Sequence, residues 1–517
     1  MVRFRHMLLA GVAALCFANA AQAQKGANAD QQQLGRNRVL LISVDGMHDV
    51  DLRLWVKAHP AGALARLAAR GTTYSNAFAT APSDSFPGMV AQVTGGTPFS
   101  TGVFYDNSYD RTLFAPGSNC AGAPGSQVEF AENIDKDPSL ATGGGTLGQP
   151  LTQIDPAKLP LASTDAGCVP VYPHQFIRVN TLFEVVRAHG GHTAWSDKHP
   201  AYDILNGPSG SGVEDLFTPE INSLIPGGPA GRDNTTSFAA VRAYDQTRVN
   251  AVINQIDGLD STGGSAQSVP NVFGMNFQSV SVGQKLARAG FNDPAELTGG
   301  YLDADGTPGN ALTLQLDFVD GAIGRMVDEL RSRDLYDRTV IIVSAKHGQS
   351  PIDLKQRRAL PDTYASVVKH GYAFNNADDV ALVWLDPATQ KETYNQALAD
   401  IQAARTELGI DRVLARPQLV RSYRDPFSDS RTPDFFVVTQ QGVIYTGGTK
   451  LAEHGGIADD DRHVAMLVSA PGLEGDKVDE KVFTTQIAPT ILRALGLRPA
   501  ELQAVRIEHT RVLPGLF

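Results

Sequence analysis

The amino-acid sequence predicts an α/β fold in which a mostly parallel central sheet has helices on both faces and carries a small cap insertion. Three observations lead there. The run Val39-Leu-Leu-Ile-Ser-Val44 is apolar and broken by Asp45-Gly46, as in a strand buried on both faces. Further runs of that kind alternate with segments whose apolar residues recur at helical spacing, and such alternation favours a parallel sheet covered on both sides. The 517 residues, 42% hydrophobic and 19% charged, can bury one large core with insertions.

The elements follow in order. Arg3 and Arg5, the apolar run from Met7 to Ala18 and the small-residue site Ala21-Gln-Ala23 read as a secretory signal over residues 1–23. Cleavage after Ala23 is expected, with an exported product, periplasmic or secreted. Gln24 to Gly35 is polar and reads as disordered. The main domain, 24–517, opens with the strand ending at Asp45, then a helix bracketed by Pro60 and Gly71, then a short helix from Ser85 to Thr94 closed by Gly95-Gly96. Residues 108–174 are dense in Gly, Pro, Asp and Ser and predict a long surface excursion. Helical spacing returns over Thr181 to Arg187, Phe238 to Ile256 and Asp317 to Leu330; strands are expected at Thr193 to Trp195, Asn271 to Phe277 and Thr339 to Val343. A second insertion, 354–430, holds a strand at Val380 to Leu385 and a helix near Tyr394 to Leu408, and makes the cap.

Charge and cysteines narrow the class. The formal charge is −11, which argues against general nucleic-acid or anionic-membrane binding. The N-terminal apolar run is too short to span a bilayer and no later stretch replaces it. Cys16 lies in the signal, while Cys120 and Cys168 remain in one Gly/Pro-rich region. A disulfide between them is the leading reading for an oxidising compartment, and two separate buried thiols the alternative. The sequence leaves the oligomeric state open.

The chemistry starts at Asp45 and Ser85. Open α/β sheets bind ligands at the carboxyl ends of their strands, where Asp45 stands. Ser83-Asp-Ser-Phe-Pro-Gly88 puts the Ser85 hydroxyl near a helix start with Pro87 in the first turn, and free N–H groups there favour an anion. An Asp at a strand end is also an ordinary turn former, and a Ser before Phe-Pro an ordinary cap. Two His-Gly dipeptides follow, His347 in Val340-Ile-Ile-Val-Ser-Ala-Lys-His-Gly-Gln349 and His454 in Ala452-Glu-His-Gly-Gly456.

The order Asp45, Ser85, His347, His454 resembles the alkaline phosphatase superfamily, most closely its type I phosphodiesterase and nucleotide pyrophosphatase branch. Thr72-Thr-Tyr-Ser-Asn-Ala-Phe78, Val93-Thr-Gly-Gly-Thr-Pro98, Pro433-Asp-Phe-Phe-Val437 and Thr485-Gln-Ile-Ala-Pro-Thr-Ile-Leu492 extend the likeness over most of the chain. The resemblance implies an alkaline phosphatase-like fold and a metal-dependent hydrolase of phosphate esters, of the phosphodiester or nucleotide pyrophosphate class, with a small-molecule ester as substrate. It also implies that Asp45, Ser85 and His347 hold one zinc, that His454 belongs to a second, and that Ser85 is the nucleophile, activated as a metal-bound alkoxide.

Departures from the pattern change that expectation. The family's Ser-Asp-His-Gly becomes Ser344-Ala-Lys-His-Gly348, with Lys346 where a carboxylate ligand should be. The segment expected to supply an Asp and a His maps onto Phe277 to Gln284, which has neither; its Gln278 and Gln284 are poor zinc ligands. One account has Lys346 act catalytically as a replacement positive charge, leaving zinc or another divalent metal at fewer than two per chain. The other has an inactive or altered member of the fold serving as an exported binding protein. The resemblance implies that Asn107 donates to a phosphoryl oxygen, although Asp106 competes for the slot and an ordinary Asp-Asn turn is the alternative reading. Ser196 to Tyr202 offers Asp197 or His199 as replacement ligands, against a reading as ordinary loop.

Overall fold

The computed structural model describes residues 37–130 and 133–516. The signal segment and the polar stretch after it lie outside the described residues. Eight strands form the main sheet: β1 (Arg38–Val44), β2 (Gly71–Tyr74), β3 (Ala194–Ser196), β4 (Asp215–Phe217), β5 (Val272–Phe277), β6 (Thr339–Ser344), β7 (Met466–Ser469) and β8 (Asp476–Val478). Their spatial order is β8-β2-β7-β6-β1-β5-β3-β4. From β6 through β4 every pairing is parallel, with Val44 beside Phe277 and Ser43 beside Ser344. The sheet is mostly but not purely parallel, because β7 runs antiparallel to both β6 and β2.

The period of two along β1 shows why this sequence makes a central strand. Val39 and Leu41 join one apolar cluster with Met89, Val93, Ile342 and Leu492. Leu40, Ile42 and Val44 join another with Val252, Leu316, Ile323 and Val343. All five β1 side chains are fully buried, each stabilising the fold by about 1.5–3 kcal/mol. The helices Ser85–Thr94 and Ile487–Ala494 contribute to the first cluster and Phe238–Ile256 and Asn310–Ser332 to the second. The last begins seven residues before the expected Asp317, capped by Gly309, which carries no helix-start signal in its side chain.

A second sheet of four antiparallel strands comprises Tyr372–Ala377, Val380–Leu385, Ile410–Leu414 and Phe435–Thr439. Three of them come from the expected cap segment and the last from beyond residue 430. Val380–Leu385 again divides by parity. Ala381, Val383 and Leu385 pack with the helix Gln390–Ala403, while Val380, Leu382 and Trp384 pack against Phe104 and Tyr105 of the main domain. In the 108–174 excursion the hairpins Asn107–Asp110 with Ser126–Glu129 and Leu161–Thr164 with Gly167–Pro170 give short regular elements, and Cys120 and Cys168 form a disulfide spanning 48 residues. Among the described residues no helix is long and apolar enough to cross a membrane.

Candidate active site

Four neighbouring parallel strands deliver the site from their carboxyl ends. Asp45 follows β1, Lys346 and His347 follow β6, Gln278 follows β5, and Asp197 and Lys198 follow β3. Gly46 turns the chain out of β1 at φ +82, where a Cβ would come within 2.2 Å of Gln284 Oε1, so the turn needs glycine. Ser85 is the first residue of its helix; Asp84 is the cap, its carboxylate accepting from Phe86 N–H at 2.7 Å. The helix lies directly on the loop after β6, for a Cβ at Gly88 would be 2.4 Å from the Lys346 carbonyl oxygen.

The structure brings Asp45, Ser85, Lys346, His347 and His454 together. Ser85 Oγ is 3.2 Å from His347 Nε2, whose other ring nitrogen, Nδ1, is 2.8 Å from the Gly348 carbonyl. A carbonyl only accepts, so Nδ1 carries a proton, while Nε2 faces the serine hydroxyl and lies 3.7 Å from Asp45 Oδ2. The His454 ring lies with its centroid 3.9 Å from that of His347. Burial, with His347 and Lys285 nearby, holds His454 well below the usual histidine range, so the ring is neutral.

Lys198 is the residue that sequence reasoning missed. Its ammonium donates to Ser85 Oγ at 3.0 Å, Asp45 Oδ2 at 3.3 Å and Gln278 Oε1 at 3.3 Å, three acceptors for three N–H bonds. Burial works against its charge, but the carboxylates of Asp45, Asp197, Asp84 and Asp106 outweigh burial and raise its pKa. Gln278 turns its amide N–H onto Asp45 Oδ2. Lys346 is fully buried and donates to Asp197 Oδ1 at 3.0 Å and Tyr202 OH at 2.6 Å, with Asp45 Oδ1 at 3.9 Å. Burial lowers its pKa, opposed by Asp197 and Asp45. For Asp45, burial alone would raise the pKa; the Lys346 and Lys198 ammonium groups hold it well below the ordinary carboxylate range. The signal that would have found Lys198 is the one that found Asp45, a polar residue just past a strand's carboxyl end.

Asn107 is placed differently from the others. Its side-chain oxygen accepts from Gln127 across the hairpin at 3.0 Å, whereas Asp106 lines the cavity above Ser85. That cavity, about 370 Å³, is walled by Lys198, His199, Gln278, Lys285, Glu453 and His454 among others. His199 Nδ1 is held at 2.8 Å by the buried Glu220.

The sequence profile described as Type I phosphodiesterase / nucleotide pyrophosphatase matches residues 39–156 and 226–463. The chain belongs to that family. Its fold is that of the alkaline phosphatase superfamily: murine ectonucleotide pyrophosphatase / phosphodiesterase 5 superposes with a TM-score of 0.55 at 15% identity, over 89% of this chain and 96% of that one. An inactive variant of the murine protein in complex with AMP gives 0.54 at 15%, over 90% and 96%. Alkaline phosphatase PafA gives 0.59 at 13%, also over 90% and 96%. No curated protein matches the chain in sequence.

Family membership brings an expectation of two dications, and the donor set here does not fit it. A catalytic zinc takes oxygen and nitrogen donors at about 2.0–2.2 Å and keeps one position open for water or substrate. Two of the atoms required, Asp45 Oδ2 and Ser85 Oγ, instead share the Lys198 ammonium. Lys346 stands where the resemblance expects a carboxylate ligand, and the segment expected to supply an Asp and a His holds Gln278 and Gln284. Asp45 Oδ1 and His454 Nδ1 are buried without a hydrogen-bond partner, yet the Lys346 ammonium lies 3.9 Å from the former. Among the described residues, no group of three or more His, Cys, Asp or Glu side chains could hold a metal ion.

Proposed function

We propose that the chain hydrolyses phosphate esters, of the phosphodiester or nucleotide pyrophosphate class, through a covalent phosphoserine at Ser85. One observation carries the reading: the Ser85 hydroxyl lies between an ammonium that donates to it, Lys198 Nζ at 3.0 Å, and an imidazole nitrogen oriented to accept its proton, His347 Nε2 at 3.2 Å. That is the arrangement of an activated nucleophile beside a base.

In this scheme Ser85 Oγ attacks phosphorus as its proton passes to His347 Nε2. The bond from phosphorus to the leaving oxygen breaks, and that oxygen takes a proton from solvent. Water then attacks the phosphoserine and releases a proton to solvent; the Oγ–P bond breaks and Ser85 recovers its proton from His347. Lys198 and Lys346 offset the anionic charge that builds on the phosphoryl oxygens. Fewer than two divalent ions per chain are bound. The family match supports the ester class, and the AMP complex of the murine fold neighbour supports a nucleotide among the substrates. The basic start, apolar run and Ala-Gln-Ala site support an exported enzyme.

A second reading, an exported phosphate-ester binder without turnover, is favoured by Lys346, Gln278 and Gln284 standing where the family pattern expects metal ligands. Incubation with chromogenic mono- and diesters followed by intact-mass analysis after acid quench separates the two. A phosphoryl adduct on Ser85 with product release supports hydrolysis; tight ester binding without product or adduct supports the binder.

A further inference from the structure

We propose that this site holds its anionic substrate with no divalent metal at all, the Lys198 ammonium and the Lys346 ammonium standing where the family places its two dications. The inference rests on the proposed function and takes its metal count from fewer than two to none.

The geometry of Lys198 carries most of the argument. An ammonium offers three N–H bonds, and Asp45 Oδ2, Ser85 Oγ and Gln278 Oε1 receive them at 3.3, 3.0 and 3.3 Å. These are hydrogen-bond separations to oxygens that come from three chain segments, following β1, opening the Ser85 helix, and following β5. A metal ion at this position would need the same oxygens more than half an ångström closer, with Lys198 expelled. Gln278 fits the ammonium on both sides. Its carbonyl accepts from Lys198 while its N–H donates to Asp45; an aspartate at this position could accept but would not donate to Asp45.

Lys346 stands by the other oxygen of Asp45 as a nearby charge, without a hydrogen bond to it. Its ammonium has Asp197 Oδ1 and Tyr202 OH as acceptors, lies 4.2 Å from the centre of the Tyr202 ring, and faces Asp45 Oδ1 at 3.9 Å. Asp197 is in turn fixed by Trp195 Nε1 at 2.9 Å and by the Lys198 main-chain N–H at 2.9 Å. The two cations thus flank one carboxylate, and each has its own set of built partners. A phosphoryl oxygen arriving at Ser85 would meet the Lys198 ammonium as a fixed point charge.

Three measurements on the full-length protein test this, using zinc and inorganic phosphate as probes. Elemental analysis of protein purified without added metal should find far less than one equivalent of any divalent metal. Calorimetric titration with phosphate should give the same affinity with and without a chelator. Lys198→Met should weaken phosphate binding by about ten- to hundredfold, the scale of one charged hydrogen bond, and Lys198→Arg should recover part of it. One or more tightly held metal equivalents, or phosphate binding that disappears on chelation, would overturn the proposal and leave the Ser85 reading standing. Absence of phosphate binding under every condition would overturn it too. If Ser85→Ala instead kept full turnover, the proposed function would fail while the metal analysis still decided the ammonium pair. The wild-type measurements need no variant to fold.

Discussion

Lys346 Nζ and Asp197 Oδ1 lie 3.0 Å apart with neither side chain reaching solvent. Removing one member of such a pair strands the other charge in the interior, at a cost of about 3–5 kcal/mol. Asp197→Asn is therefore expected to lower unfolding free energy by that order in denaturant titration, and a change below about 1 kcal/mol would show that the pair is not ionised in the folded state.

Ser85→Ala removes the proposed nucleophile but only one oxygen from a buried first helical turn. Turnover of a chromogenic ester should fall by several orders of magnitude with the thermal midpoint nearly unchanged. Wild-type rates in this variant would remove Ser85 from the mechanism.

Lys346→Ala should lower turnover, whereas Lys346→Asp would restore a carboxylate beside Asp45 and change the local charge by two units. Zinc titration should therefore show tighter binding to Lys346→Asp than to the native chain. Equal or weaker zinc affinity would mean that Lys346 does not occupy a ligand position.

Burial, reinforced by Glu453, pushes the Asp378 carboxyl up to about 7, and burial pushes Asp379 up to about 6. A carboxyl whose folded-state pKa exceeds its unfolded value of about 4 favours folding at the acid end; that contribution is lost as pH rises through 6 and 7. Asp378→Asn should thus become progressively more stable relative to the native chain from pH 4 to pH 8. A difference that stays constant with pH would contradict the assignment.

The disulfide closes a loop of 48 residues, for which the chain-entropy model gives about 4 kcal/mol. Cys120→Ser with Cys168→Ser should lower stability by up to that amount without changing ester turnover, since the bridge lies in the excursion and not at the strand ends. Unchanged unfolding in the double variant would show that the excursion is ordered by its hairpins alone.

Legibility in the sequence followed the range of the interactions. Asp45 and Ser85 could be read because each is marked locally, by the end of an apolar run and by a cap followed by Pro87. The helix Phe238–Ile256 matched its periodicity residue for residue. Lys198 carried the strand-end mark too, two residues past β3, but that mark does not name its partners. Its role depends on β3 lying two places from β1 across β5, a strand order that no local pattern encodes. The antiparallel β7 was hidden for the same reason, since four buried residues look alike in either direction. Asn107 and Asp106 could not be separated by counting because a hairpin partner, Gln127, decides which side chain turns outward.

The placement of Asp45, Lys198, Gln278 and Lys346 just beyond the ends of β1, β3, β5 and β6 divides labour between scaffold and reagent. Of the four, none belongs to either apolar cluster that glues helices to the sheet. Exchanging one of them alters the charges at the site without touching the apolar contacts that hold helices to the sheet, much as a tool is changed in a fixed holder. A single architecture can in this way present a different set of charges at the same strand ends through point substitutions.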